Sequence, residues 1–210
     1  MLYGFFFPRP YQYAILTCIL LPFLTLLVIK YWKGLIRLDA EEGSAYPSAP
    51  VSITFPGLIL SMRAMLDFSI DDYSKLWIPV TITAAVFTAA ILMIENKGLS
   101  FKKGKTYLMI LGFLMFTFAY GYGTVVTLNC SFDDSTPQLF STTIVNKEKT
   151  KSRKYRTYDL YLSPWGKKTE IEKVSIDEDF YNQLQEGDEV SVYLFKGKLN
   201  IPWLIVGQAR

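Results

Sequence analysis

Three stretches without a single charged residue limit what this chain can fold into. Tyr13–Ile29 is seventeen residues long, Leu76–Ile94 nineteen and Tyr107–Cys130 twenty-four. A hydrocarbon layer of about 30 Å needs roughly 20 helical residues at 1.5 Å each, so every run is a spanning candidate. The alternative is a set of soluble core helices. Three such runs within the first 130 residues would leave too little polar chain to cover them. Composition agrees: 50% of residues are hydrophobic and 20% charged, against about 25% charge in soluble domains. The runs are read as three strong spans, at about 13–31, 76–94 and 107–128.

A weaker membrane segment covers 51–70, interrupted by Pro56 and carrying Arg63 and Asp67 near its end. Those two lie four apart, so on a helix they share a face and can pair. Arg63 is the one cation inside that segment, which makes it a site candidate; its long side chain can also snorkel to headgroups. Cytoplasmic loops are enriched in lysine and arginine, and the loop after the 76–94 run holds Lys97, Lys102, Lys103 and Lys105 against Glu95. Counting 51–70 as a span puts that loop and Lys30, Lys33 and Arg37 inside, with Asp71 and Asp72 outside. Three spans would leave Lys30, Lys33 and Arg37 outside, so four fit better. The first run ends at Lys30, Trp32 and Lys33 without a small-residue cleavage site, as a retained anchor does.

Beyond Asp133 the composition changes. Residues 138–210 hold twelve Lys+Arg and ten Asp+Glu, with apolar residues in short alternating pieces. Strands are expected at 139–146, 155–162, 170–176, 189–195 and 201–206, and a short helix at 177–184. Val190, Val192 and Leu194 alternate with Ser191 and Tyr193, which places the first three, with Ile201, in a core. Trp165 and Trp203 each follow a proline and are expected as lids over that core. The fold class is thus an α-helical transmembrane bundle (1–132) followed by a small, autonomous, barrel-like β domain (138–210).

Within this tail, Ser163-Pro164-Trp165, Gly187-Asp188 and the closing run Gly197-Lys198-Leu199-Asn200-Ile201-Pro202-Trp203 resemble the C-terminal domain of uncharacterised bacterial multi-pass membrane proteins. The resemblance covers the last third of the chain. It implies an architecture and transfers no catalytic residues.

Most of the residues that could carry chemistry have structural explanations. Histidine is absent, which excludes histidine bases and histidine-ligated metals. Asp71-Asp72 and Asp133-Asp134 read as solvated loop acids, Cys18 and Cys130 as free thiols, and Tyr120 and Tyr122 as interfacial aromatics beside a small-residue packing face. No phosphate loop precedes a helix, and the strong spans hold neither the lysine of a Ser–Lys dyad nor a pair of aspartates. The expectation is a protein without catalytic residues, cofactor or metal. The most distinctive charge feature is Lys147, Lys149, Lys151, Arg153, Lys154 and Arg156, linking the first two strands. It reads as a solvated hairpin tip or as a contact for an anionic surface, each cation near a charged membrane contributing about 1 kcal/mol. A net charge of +3 does not suggest nucleic acid. The expected role is a non-enzymatic inner-membrane protein whose extracytoplasmic β domain binds a protein partner or envelope component. A transport or channel accessory subunit and a membrane-anchored immunity or inhibitor protein are the alternatives.

Overall fold

The computed structural model describes residues 11–32, 50–94, 104–151 and 156–208. They divide into a helical unit and a β unit, and the division is not a single cut. Ser69–Asp72 belongs with the chain from Asp133 onward, while the helices up to Phe132 form the other unit.

The helical unit contains α1 (Tyr11–Tyr31), α2 (Pro50–Asp67), α3 (Trp77–Ile94) and α4 (Gly104–Ser131). Their apolar residues run round the whole circumference instead of forming one stripe. In α1, Ile15, Leu26 and Ile29 point into the unit, whereas Leu16, Leu20, Leu24 and Leu27 are exposed. Ile78, Ile82, Val86 and Met93 are likewise exposed on α3. A helix apolar on its outer face as well needs a non-aqueous neighbour. Gln12–Tyr31 and Leu111–Ser131 are long and apolar enough to cross a membrane. The third expected strong span is a correction: Trp77–Met93 is apolar but shorter. Its helix starts only at Trp77, because Leu76 closes a turn by donating to the Tyr73 carbonyl at 3.1 Å. The 51–70 segment is helical only to Asp67 and then turns into a strand.

α4 packs along both α2 and α3, and α1 packs on α2. Small residues make this possible. A Cβ on Gly121 would stand 2.7 Å from the Val80 carbonyl oxygen of α3, and one on Gly123 would fall into the Leu60–Ser61 backbone of α2. The Ser61 hydroxyl sits between its own Gly57 carbonyl at 2.8 Å and the Ala119 carbonyl of α4 at 2.7 Å. Such close approach is how helices associate where water gives no hydrophobic drive. Tyr120 is a further correction. It is fully buried, stacked on Phe87 at 4.1 Å between ring centroids, and it donates its hydroxyl to the Ile19 carbonyl at 2.8 Å. Pro22 has no N–H, so the carbonyl it leaves without a helical donor is that of Cys18, next to Ile19. Thr17, Thr25, Thr81, Thr83 and Thr127 bond to carbonyls four residues back, so their hydroxyls need no water.

The β unit is a nearly closed, antiparallel six-stranded barrel in the order β1-β6-β5-β2-β3-β4. Its strands are β1 (Ser69–Ile70), β2 (Gln138–Lys151), β3 (Arg156–Leu162), β4 (Glu172–Ile176), β5 (Glu189–Phe195) and β6 (Trp203–Gln208). β2 serves both halves: residues 138–143 pair with β5, then a register shift between Ile144 and Asn146 turns the strand so that it pairs with β3. An extra residue on one strand bends it, which is how a sheet rounds a corner. Val190, Val192, Leu204, Val206, Leu160, Leu162 and Val174 fill the interior. The short helix α5 (Glu178–Gln183) is capped by the Asp177 carboxylate, which accepts from the Phe180 N–H at 2.8 Å, and Phe180 and Tyr181 pack on the core. Trp165 joins that core against Phe140, whereas Trp203 lies on the opposite side of its strand pair, stacked on Phe195 at 4.5 Å.

Gly123→Val should destabilise the helical unit by roughly 1–3 kcal/mol or more, since neither neighbour is a flexible side-chain end. Gly112→Ala, which meets only open space, should not lower stability. Thermal melts followed by circular dichroism in detergent will compare them; equal melts would rule out close packing at Gly123.

Candidate interaction surface

Strand register divides the expected basic run into different roles. Lys147 stands opposite Leu160, Lys149 opposite Tyr158 and Lys151 opposite Arg156, all on the side covered near the core by α5. Lys147 is not a free cation: its Nζ donates to the Tyr181 carbonyl at 2.7 Å and to the Leu184 carbonyl, 4.1 Å above the Tyr181 ring centroid. It thus satisfies carbonyls at the C-terminal end of α5, where a cation is favoured. Lys149 and Arg156 flank Glu178 at 3.9 Å each, and all three side chains are about half exposed. Ion pairs that open contribute little and leave the cations available. Lys151 is exposed at the outer end of its strand. Arg153 and Lys154 lie outside the described residues. The available cluster is therefore Lys149, Lys151 and Arg156, with Lys151 directly across from Arg156. Like charges at that spacing repel, and a bound anion would relieve the cost.

The other face of the same hairpin carries a network that the sequence did not reveal. Asp159 is only 3% exposed; it accepts from the Ser175 hydroxyl at 2.5 Å and pairs with Lys173 Nζ at 3.0 Å. Lys173 also reaches Glu148 at 3.1 Å, and the Tyr161 hydroxyl donates to the same carboxylate oxygen at 2.6 Å. The hydrogen bond to Asp159, then that to Glu148, holds the Lys173 ammonium well above the ordinary lysine pKa. The Tyr161 and Lys173 hydrogen bonds hold Glu148 below the usual carboxylate range. These five residues become neighbours only through the pairings Glu148↔Asp159, Asp159↔Ser175 and Tyr161↔Lys173. With every charge partnered, the network reads as a rigid outer surface.

The paired acids divide in the same way. Asp133 Oδ2 accepts from the Trp203 indole N–H and the Gly197 N–H, each at 2.8 Å, and Oδ1 from the Ser135 N–H at 2.9 Å. Burial opposes its charge, but the bonds from Trp203, Ser135 and Gly197 outweigh it and keep the carboxyl below its ordinary pKa. Asp134 makes an exposed pair with Lys198 at 3.2 Å. Asp71 pairs with Lys168 at 2.8 Å. Arg63 pairs with Asp67 at 3.1 Å, one helical turn away, as their spacing suggests. Cys18 and Cys130 are not joined in a disulfide, and the Cys130 sulfur accepts from Asn129 Nδ2 at 3.6 Å. Among the described residues, no three His, Cys, Asp or Glu side chains gather where a metal ion could be held.

No family model, curated protein or solved structure matches this chain.

The Asp133 bonds stabilise the folded state while the carboxyl is charged. That contribution is complete above the unfolded pKa of about 4 and is lost as pH falls through the lower folded value. Asp133→Asn should lower the melting temperature at pH 7 and flatten its decline between about pH 4 and pH 2. A decline as steep as that of the wild type would exclude Asp133 as a source of the acid sensitivity.

Proposed function

We propose that this chain is a non-enzymatic membrane protein that holds a small extracytoplasmic β-barrel as a binding module for a protein partner or an anionic envelope component. Support comes first from connectivity. The barrel contains Ser69–Asp72 and the chain from Asp133 onward, which immediately flank the α3–α4 pair. A folded barrel lies on one side of a bilayer, so the chain between those stretches crosses an even number of times. If α4 crosses, α3 must return, even though it is the shorter helix. Parity therefore favours a crossing hairpin of α3 and α4, with the lysine-rich 95–105 loop on the far side. That loop fits the cytoplasm, and the barrel then faces outward. With α1 and α2 this gives four spans, in a bacterial inner membrane on the resemblance described above.

The binding face in this reading is the hairpin surface at Lys149, Lys151 and Arg156, where three cations face the single carboxylate of Glu178. Electrostatic recognition of this kind raises association rates and weakens with salt.

A periplasm-active phosphatase fused after Arg210 should be active, and the same reporter inserted at Gly98 should be silent. The reverse pattern would reject the topology. Binding is tested with fluorescent polyglutamate and the purified full-length protein. The triple variant Lys149→Glu, Lys151→Glu, Arg156→Glu should lose at least about tenfold in affinity at low salt. Unchanged affinity would remove the hairpin as the contact.

A further inference from the structure

The barrel has two end strands, β1 and β4, and they differ in how they are held. β4 pairs with β3 over five residues. β1 pairs with β6 over only two, Ser69↔Leu204 and Ile70↔Trp203, with one further backbone bond from the Asp71 N–H to the Pro202 carbonyl at 2.9 Å. Among the described residues it is also the one strand that does not come from the C-terminal part of the chain. Phe68 alone separates it from α2, and residues 71–76 connect it to α3.

One side chain spans the seam between these end strands. Lys168 Nζ lies 2.8 Å from Asp71 Oδ1, just past β1, and 3.2 Å from Glu172 Oε1, the first residue of β4. Asp71 is the more enclosed partner, with its side chain 14% exposed against 35% for the lysine. Burial works against the Lys168 charge, but its bonds to Asp71 and Glu172 outweigh that and raise its pKa above the ordinary lysine value. Without the ammonium, two carboxylates would face each other across the seam, and like charges at that distance repel.

We propose that β1 is a releasable strand and that Lys168 is its catch, so that displacement of the α2–α3 connection opens the barrel seam. Local opening follows weakly held units, and the two-pair ladder of β1 with β6 is the shortest in this sheet. Release leaves the rest of the barrel paired, because β6 keeps its six-residue ladder with β5. It uncovers the outer edge of β6, a row of N–H and C=O groups that an incoming extended segment can pair with. Every contact involved lies within the barrel, so release is independent of orientation in a membrane.

Hydrogen exchange read by mass spectrometry on the full-length protein in detergent tests it. Lys168→Met should speed exchange about tenfold in peptides covering 69–72 and 203–206, with 158–162 and 190–194 unchanged. Adding Asp71→Asn and Glu172→Gln to that variant removes the repulsion and should return exchange toward the wild-type rate. Unchanged exchange at 69–72 would overturn the proposal. So would a uniform rise across the barrel, which would make Lys168 an ordinary stability residue, and so would failure of the neutralised variant to slow exchange.

Discussion

The pairing of β1 with β6 is the constraint on which the rest of the architecture depends. Two residue pairs join a segment between two apolar helices to a strand near the other end of the chain. That pairing makes the barrel discontinuous in sequence. It also turns a nominally five-stranded C-terminal unit into a six-stranded one. Loop-closure entropy rises only slowly with length, so so long a connection is tolerable. It is tolerable here because the intervening chain has its own packed helices.

Those helices follow a different physical rule from the barrel. In the β unit, alternation puts Val190 and Val192 inside and leaves Ser191 and Tyr193 on the other face. Burial against water is the organising force. In the helical unit the outer faces are as apolar as the inner ones, so burial cannot select the packing. Shape does. Gly121 and Gly123 bring backbones together, Ser61 bridges two carbonyls, and Tyr120 finds the Ile19 carbonyl as its acceptor. Back-bonded threonines keep polar atoms internal to each helix.

Much of this was legible in the sequence, for reasons specific to each element. The strands from β2 to β6 and the short helix declared themselves through alternation, turn residues and acids in a first turn. Their ends moved by a few residues, most at β2, which continues through the basic run as far as Lys151. β1 was not legible, because two residues carry no periodicity and they closed an apolar run read as one membrane segment. Tyr120 looked interfacial from its place near a helix end and proved to be central, since its depth depends on neighbours from other helices. The six cations looked alike in sequence. Only the register showed that Lys147 faces carbonyls of a helix end while Lys151 faces Arg156. Asp133 and Lys168 gave no sequence signal, because their partners lie far away in the chain.

The order of the strands also sets an order of events during synthesis. β1 leaves the ribosome before the α3–α4 pair, yet its ladder partner, β6, follows all the other described strands. Until β6 is made, Ser69 and Ile70 have no strand to join, and the chain from β2 to β5 can form only an open sheet. Long-range pairings of this kind are slow to form and leave edges exposed in the interim. The barrel therefore closes as a late act of biogenesis, after the helices on both sides of β1 have been laid down.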